Sequence, residues 1–183
     1  MSYDAPRESD SGGPQATPAV VEDLFLTDAF LIKGRMSGKY HRLSKVLEDY
    51  ERTFVSIEDA VLISLRGHDT IRTPRIHVNV REILLAHELV DLGGDDKLRA
   101  LSADDKSTRI RAFYNGGVQL ELSGRIAPGA YEPSRGAFRR WMVLAEPTVR
   151  GLNVEGRPEL GVLDGLGYAI VQKSRLSYVY DFG

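Results

Sequence analysis

The chain has 183 residues, 42% of them hydrophobic and 27% charged, which is the balance of a globular protein. The net charge of −2, from 24 basic and 26 acidic residues, gives no overall pull towards nucleic acid. There is no cysteine, so disulfides, thiol catalysis and thiolate metal sites are excluded.

Residues 1–20 mix Pro, Gly, Ser and charge without an apolar period and read as a disordered tail. They contain neither the basic start nor the apolar stretch of a secretion signal. No apolar run in the chain reaches the roughly 18–20 residues that span a bilayer. The expectation is a cytoplasmic protein with no membrane segment.

A first unit is expected over residues 21–92. Residues 23–36 (DLFLTDAFLIKGRM) favour a strand and contain no breaker. Leu43, Val46, Leu47 and Tyr50 then fall at i, i+3, i+4 and i+7, one face of a helix of about ten residues with Ser44 as its N-cap. Residues 53–66 return to strand character, Gly67-His68-Asp69 marks a turn, and residues 76–89 begin with Ile76, Val78 and Val80 on one face. Pro74 sits just ahead of that last strand, where a missing donor is tolerated.

A linker is expected over 93–108 and a second unit over 109–183. Strands 109–114 and 118–126 flank Asn115-Gly116-Gly117, a strong hairpin signal. Further strands are expected over 139–149 and 168–182, with a turn at Asp164-Gly165.

The two units share a faint internal repeat. FLIKGRM (30–36) aligns with QLELSGRI (119–126), RTFVSIEDAV (52–61) with RWMVLAEPTV (140–149), and VREILL (80–85) with VQKSRL (171–176), in order and at offsets of about 90, 88 and 91. The expected fold is therefore mainly β: two small, partly open barrel or sheet units, the first with one short helix between strands. The run RLSKVLEDYER followed by TFVSIEDAVLI, within residues 29–89, resembles an uncharacterised bacterial family of small β domains similar to Sm-like barrels. In an Sm protein the helix precedes the strands, whereas here it falls after the first one. The resemblance implies a binding or scaffolding module and carries no catalytic residues.

The search for chemistry is mostly negative. His41, His68, His77 and His87 include no H-x-x-x-H pair, so no zinc site is expected. Gly165-Leu-Gly167 lacks the third glycine of a dinucleotide loop, since Ile170 stands there. There is no G-x-x-x-x-G-K-[ST] and no G-x-S-x-G. Glu58-Asp59, Asp95-Asp96 and Asp104-Asp105 read as solvated carboxylates. No catalytic residue, metal or cofactor is expected.

Two binding readings remain. The C-terminal RLSYVYDF places Tyr178, Tyr180 and Phe182 where a sheet edge would meet a protein partner or a second copy. Arg135, Arg139, Arg140 and Trp141 form an arginine–aromatic cluster that would serve RNA or a nucleotide instead, unless Trp141 is core. The favoured function is a non-catalytic adaptor or assembly subunit, with an RNA- or nucleotide-binding Sm-like barrel as the alternative and an enzyme whose active site converges without a local motif as the third reading.

Overall fold

The computed structural model describes residues 22–37, 42–89, 106–132 and 140–183. The expected tail 1–20 and most of the linker 93–108 lie outside these residues. The stretch expected as a single strand at 23–36 is a hairpin, β1 (Asp23–Leu26) and β2 (Phe30–Met36). Thr27 makes the turn without Gly or Pro. Its hydroxyl accepts from the N–H of Phe30 at 3.0 Å and of Ala29 at 3.3 Å, and contacts the Phe30 carbonyl at 3.0 Å.

Helix α1 (Leu43–Glu48) is shorter than its periodicity suggests. Ser44 is buried inside it, Arg42 holds the N-cap position without capping the helix through its side chain, and Tyr50 lies beyond the end, exposed. Partners on the sheet replace the missing turns. Glu88 Oε1 accepts the Leu43 N–H at 3.1 Å, and the Trp141 indole donates to the Leu47 carbonyl at 2.9 Å. Glu48 takes the backbone N–H groups of Arg140 and Trp141. The first two bonds satisfy the Leu43 N–H and the Leu47 carbonyl, helix-end groups that further turns would otherwise have to serve.

The first half continues through β3 (Phe54–Ser64), β4 (Thr70–Asn79), a 3₁₀ turn at Val80–Glu82 and β5 (Leu85–Glu88). The second half holds β6 (Thr108–Asn115), β7 (Gln119–Ile126), β8 (Trp141–Arg150), β9 (Tyr168–Gln172), a 3₁₀ turn at Lys173–Arg175 and β10 (Tyr178–Asp181). Asn115-Gly116-Gly117 makes the β6–β7 hairpin, as its sequence suggests. The runs 76–89 and 168–182 are each broken by a 3₁₀ turn that carries the chain from one strand to the next. Pro74 falls inside β4 instead of ahead of it.

The two expected units are not separate sheets. The ten strands form one open antiparallel sheet in the order β10-β6-β7-β8-β9-β5-β1-β2-β3-β4. The halves join where β5 pairs with β9, Leu85 opposite Val171 and Ala86 opposite Ile170. On each side of that junction the same order recurs, β5-β1-β2-β3-β4 and β10-β6-β7-β8-β9.

The correspondence extends to irregular features. Asp59-Ala60 bulge opposite Gly34, and Glu146-Pro147 bulge opposite Gly124. Among the described residues, Asp59 and Glu146 are the two non-glycine residues with positive φ, 50° and 48°. A Cβ on Gly34 would lie 2.7 Å from the Glu58 carbonyl, and one on Gly124 2.6 Å from the Ala145 carbonyl, so both places require glycine. Pro74 lies opposite the Asp59 bulge, between the pairs Glu58–Arg75 and Ala60–Thr73, where the ladder asks for no donor. By this register the matching residues are Asp59 with Glu146 and Val80 with Lys173, slips of one and two residues from the sequence alignment.

The central strands β1, β5, β8 and β9 are buried on both faces. Phe25, Ala86, Val143 and Ile170 enter one core with α1, Val55 and Ile57. Leu24, Leu26, Leu85, Met142 and Val171 enter the other, with Ile110, Ala112, Leu120 and Leu122. Each half thus lends the back of its strands to the core of the other. Arg157 adds a polar tie: its buried guanidinium donates to the carbonyls of Ser64 (2.6 Å), Gly67 (2.9 Å), Leu65 (3.2 Å) and Asn153 (2.8 Å).

Leu47→Ala is expected to cost about 2–5 kcal/mol in denaturant unfolding, because Leu47 is fully enclosed. Tyr50→Ala should cost about 1 kcal/mol or less, the loss of an exposed ring that meets the Arg140 guanidinium beyond the helix end. Equal effects from the two substitutions would contradict the short helix.

Candidate functional site

Arg135 and Arg139 lie outside the described residues, so the expected arginine–aromatic cluster is seen only at Arg140 and Trp141. Trp141 is 1% exposed, with its ring in the core and its N–H on Leu47, so it offers no face to a base. The Arg140 guanidinium lies 5.2 Å from the Tyr50 ring centroid and donates to the Asp49 carbonyl. These contacts tie the second half to α1.

The C-terminal residues sit differently. Among the described residues β10 is a terminal strand of the sheet, paired on one side only, to β6. Tyr178 and Tyr180 are each 64% exposed and Phe182 is 56% exposed. Asp181 secures the strand: it accepts from the Thr108 hydroxyl at 2.6 Å, the Tyr131 hydroxyl at 3.0 Å and the Gly183 N–H at 3.0 Å. These bonds favour the charged form and hold its carboxyl below the usual range, the Thr108 hydroxyl most strongly.

The opposite edge is β4, which the sequence did not single out. Ile71 of β4 is exposed there, and so, at the other end of the β3–β4 pair, is Phe54 of β3, opposite Asn79. The Val80 N–H reaches the Thr53 carbonyl at 2.9 Å, which turns the even-numbered amides of this part of β4 towards β3. Those of Arg75, His77 and Asn79 alternate to the open side.

The β5–β9 junction shows how such edges meet in this protein, and the repeated order gives each edge its counterpart there. β10 matches β5, with Tyr178 in the place of Leu85 and Val179 in that of Ala86. β4 matches β9, with Val78 in the place of Val171 and His77 in that of Ile170. Around them the chemistry changes. Leu24, Leu31 and Ile63, buried at the junction, become Arg111, Glu121 and Arg150. Arg111 Nε lies 3.2 Å and Arg150 Nη1 3.9 Å from Glu121 Oε1. Trp141, Val143 and Tyr168 become Phe54, Ser56 and Arg75, and Ser56 Oγ lies 2.8 Å from His77 Nδ1.

A groove of about 670 Å³ opens on the outward side of β6, β7 and β8. Arg109, Arg111, Arg125, Ser123, Glu146 and Phe182 line it, none of which except Phe182 was a candidate from sequence. The signal was present in RIRAF, where arginines recur with the strand period of two.

Glu58 and Asp59 are both ion-paired, with Arg75 at 2.9 Å and with Arg35, as expected of solvated carboxylates. His87 packs on Tyr168, ring centroids 4.6 Å apart. Among the described residues no helix is long and apolar enough to cross a membrane. Comparison of the chain with protein-family models, with curated proteins and with solved structures finds no match.

The depressed Asp181 carboxyl contributes stability above the unfolded carboxylate pKa of about 3.9, and loses it as pH falls through the lower folded value. Asp181→Asn should therefore melt below the wild type near neutral pH, and the two melting curves should converge as the pH is lowered past about 4. A gap that persists at pH 2 would assign the effect to packing.

Proposed function

We propose that the protein is a non-catalytic assembly module: a tandem pair of similar, partly open β units that joins further copies of itself edge to edge. The observation that carries this reading is the internal β5–β9 junction, a built example of the contact that β10 and β4 are left to make. β10 would add to β4 of a second copy in the same register, Tyr178 opposite Val78 and Val179 opposite His77. Its counterpart inside the chain is Leu85 opposite Val171 and Ala86 opposite Ile170. The Gln172 N–H donates to the Leu84 carbonyl at 2.9 Å, and the equivalent bond would run from Asn79 to Ser177.

Main-chain pairing at exposed edges is a general route to association. The contact is heterologous, head to tail, so copies add in one direction until a ring closes, or without limit if none does. Asp181 would stand opposite Arg75, a favourable charge pair. Retained aromatics at Tyr178 and Phe54 supply apolar area, while the Arg111–Glu121–Arg150 cluster keeps the contact more polar than the internal one. It should therefore weaken with salt. The resemblance to Sm-like domains is compatible with this reading. RNA or nucleotide binding is the second reading, favoured by the arginine groove.

The test uses light scattering and a designed cross-link. Wild-type protein should be larger than one chain, and Tyr178→Lys should shift it towards one chain with the circular dichroism unchanged. Because the chain has no cysteine of its own, the double variant His77→Cys, Val179→Cys reports the register directly. Directly opposed, hydrogen-bonded strand residues have Cα atoms about 5.5 Å apart, which suits a disulfide. Oxidation should give covalent multimers. A wild type that scatters as one chain at all concentrations, or a double variant that oxidises without forming multimers, would rule the reading out.

A further inference from the structure

We infer that the outward groove on β6 and β7 is a binding site for a nucleotide phosphate, with Arg109 and Arg125 holding the phosphate and Phe182 offering its ring to the base. Arg109 and Arg125 stand directly opposite each other on neighbouring strands. Like charges in that position destabilise a sheet. The corresponding positions in the first half carry Glu22 and Arg35, which are of opposite charge, so the like-charge opposition is peculiar to the second half. A bound dianion relieves the repulsion.

The side chains around the pair suit that ligand. The Ser107 hydroxyl accepts from Arg125 Nε at 2.8 Å and orients the guanidinium. Arg111 lies two residues along the same face of β6 and lines the same groove, its Nε already turned to Glu121. The Phe182 N–H donates to the Arg109 carbonyl at 3.0 Å, which sets the Phe182 ring beside the arginine pair. The Tyr180 ring follows, 6.2 Å away between centroids. Planar guanidinium forks recognise phosphate oxygens by paired hydrogen bonds, and an exposed aromatic ring stacks any base. Glu146, the one carboxylate lining the groove among the described residues, sits on the β8 bulge and would bar a second phosphate from that side while accepting from a ribose hydroxyl or a base amine. About 670 Å³ is within the range of small-molecule sites and holds one nucleotide. Among the described residues, the smaller groove beside Asp59 has Arg72 as its single cation and no aromatic lining.

The site does not depend on the assembly proposed above. Glu22 and Arg35, which match Arg109 and Arg125, remain exposed beside the internal junction, so the groove would stay open in a chain of copies.

The ligand is either a free nucleotide or one nucleotide of a single-stranded RNA, and the two are separated by titrating a fluorescent ATP analogue and a labelled decauridylate by anisotropy at low and physiological salt. The expected result is saturable binding of at least one probe, weakened about tenfold by Arg109→Glu and by Arg125→Glu. Arg72→Glu, which changes the net charge equally on β4, should leave it unaltered. Phe182→Ala should weaken the nucleotide without changing competition by inorganic phosphate. Tighter binding of the decauridylate, with a steeper salt dependence, assigns the site to RNA; tighter binding of the ATP analogue assigns it to free nucleotide. Should either glutamate variant lose its circular dichroism signal, Arg109→Gln and Arg125→Gln carry the same test. Absence of binding by both probes at low salt, or equal weakening by Arg72→Glu, would overturn the inference.

Discussion

The pairing of β5 with β9 involves two residue pairs in register, yet both cores meet along it. A strand buried on both faces has no solvent side, and β1, β5, β8 and β9 carry apolar residues in both directions. Leu24 faces one core and Phe25 the other; Met142 and Val143 divide in the same way. If the halves separated, Leu24, Leu26 and Leu85 would be exposed on one and Trp141, Val143 and Ile170 on the other. At about 25 cal/mol per Å² of apolar surface, that exposure outweighs what a two-pair ladder contributes. The junction is held by its side chains, and its backbone bonds set the register. Arg157 acts alongside it, since a buried guanidinium with carbonyl partners from both halves resists separation in any direction.

The same alternation explains why the sheet stops where it does. Outer positions that match the junction residues carry charge or hydroxyl groups: Arg111, Glu121 and Arg150 on one side, Ser56, Arg75 and His77 on the other. Edges of this kind are soluble, and polar residues facing outward guard against indiscriminate pairing. Some apolar character persists, in Phe54 on one edge and Tyr178 on the other. That combination distinguishes the outer edges from the internal seam, which is apolar on both faces. The internal seam belongs to the core, whereas the outer edges mix charged, hydroxyl and aromatic side chains.

How much of this was legible in the sequence depended on distance along the chain. Asn115-Gly116-Gly117 announced its hairpin because a local backbone need was met by local residues. The Thr27 turn was missed because a hydroxyl did the work usually given to Gly or Pro. Helix α1 was overextended to Tyr50 because its end is set by Trp141 and Glu88, distant residues that take over its terminal groups. The bulges at Asp59 and Glu146 left no signal, since neither uses glycine for its positive φ; the glycine is opposite, where the strands approach. The single sheet was illegible for a related reason, because the β5–β9 pairing joins segments far apart in sequence. Of the candidate residues, Tyr178, Tyr180 and Phe182 were placed at an edge by the strand period, while Trp141 turned inward because its indole found the Leu47 carbonyl. The arginine groove was readable in part, as Arg109 and Arg111 alternate on one strand, but the opposition of Arg109 to Arg125 needed the register.

The recurrence of irregularities bears on how the two halves are related. A sheet of alternating residues can arise from many sequences, so the shared strand order alone says little. A non-glycine residue at positive φ costs on the order of 1 kcal/mol or more and persists only where its surroundings require it. Two such residues, each opposite a glycine pressed against the facing carbonyl and each at the same step of the same strand, are a more demanding coincidence. Bulges of this sort bend a strand and raise its twist, which is what carries β2–β3 and β7–β8 around their cores. The bend leaves the faces beyond it open to solvent: Glu146 lines the arginine groove and Asp59 the smaller one. One device, used twice, thus curves each half over its core and shapes a groove on its back, and the side chains that line each groove determine what it can hold.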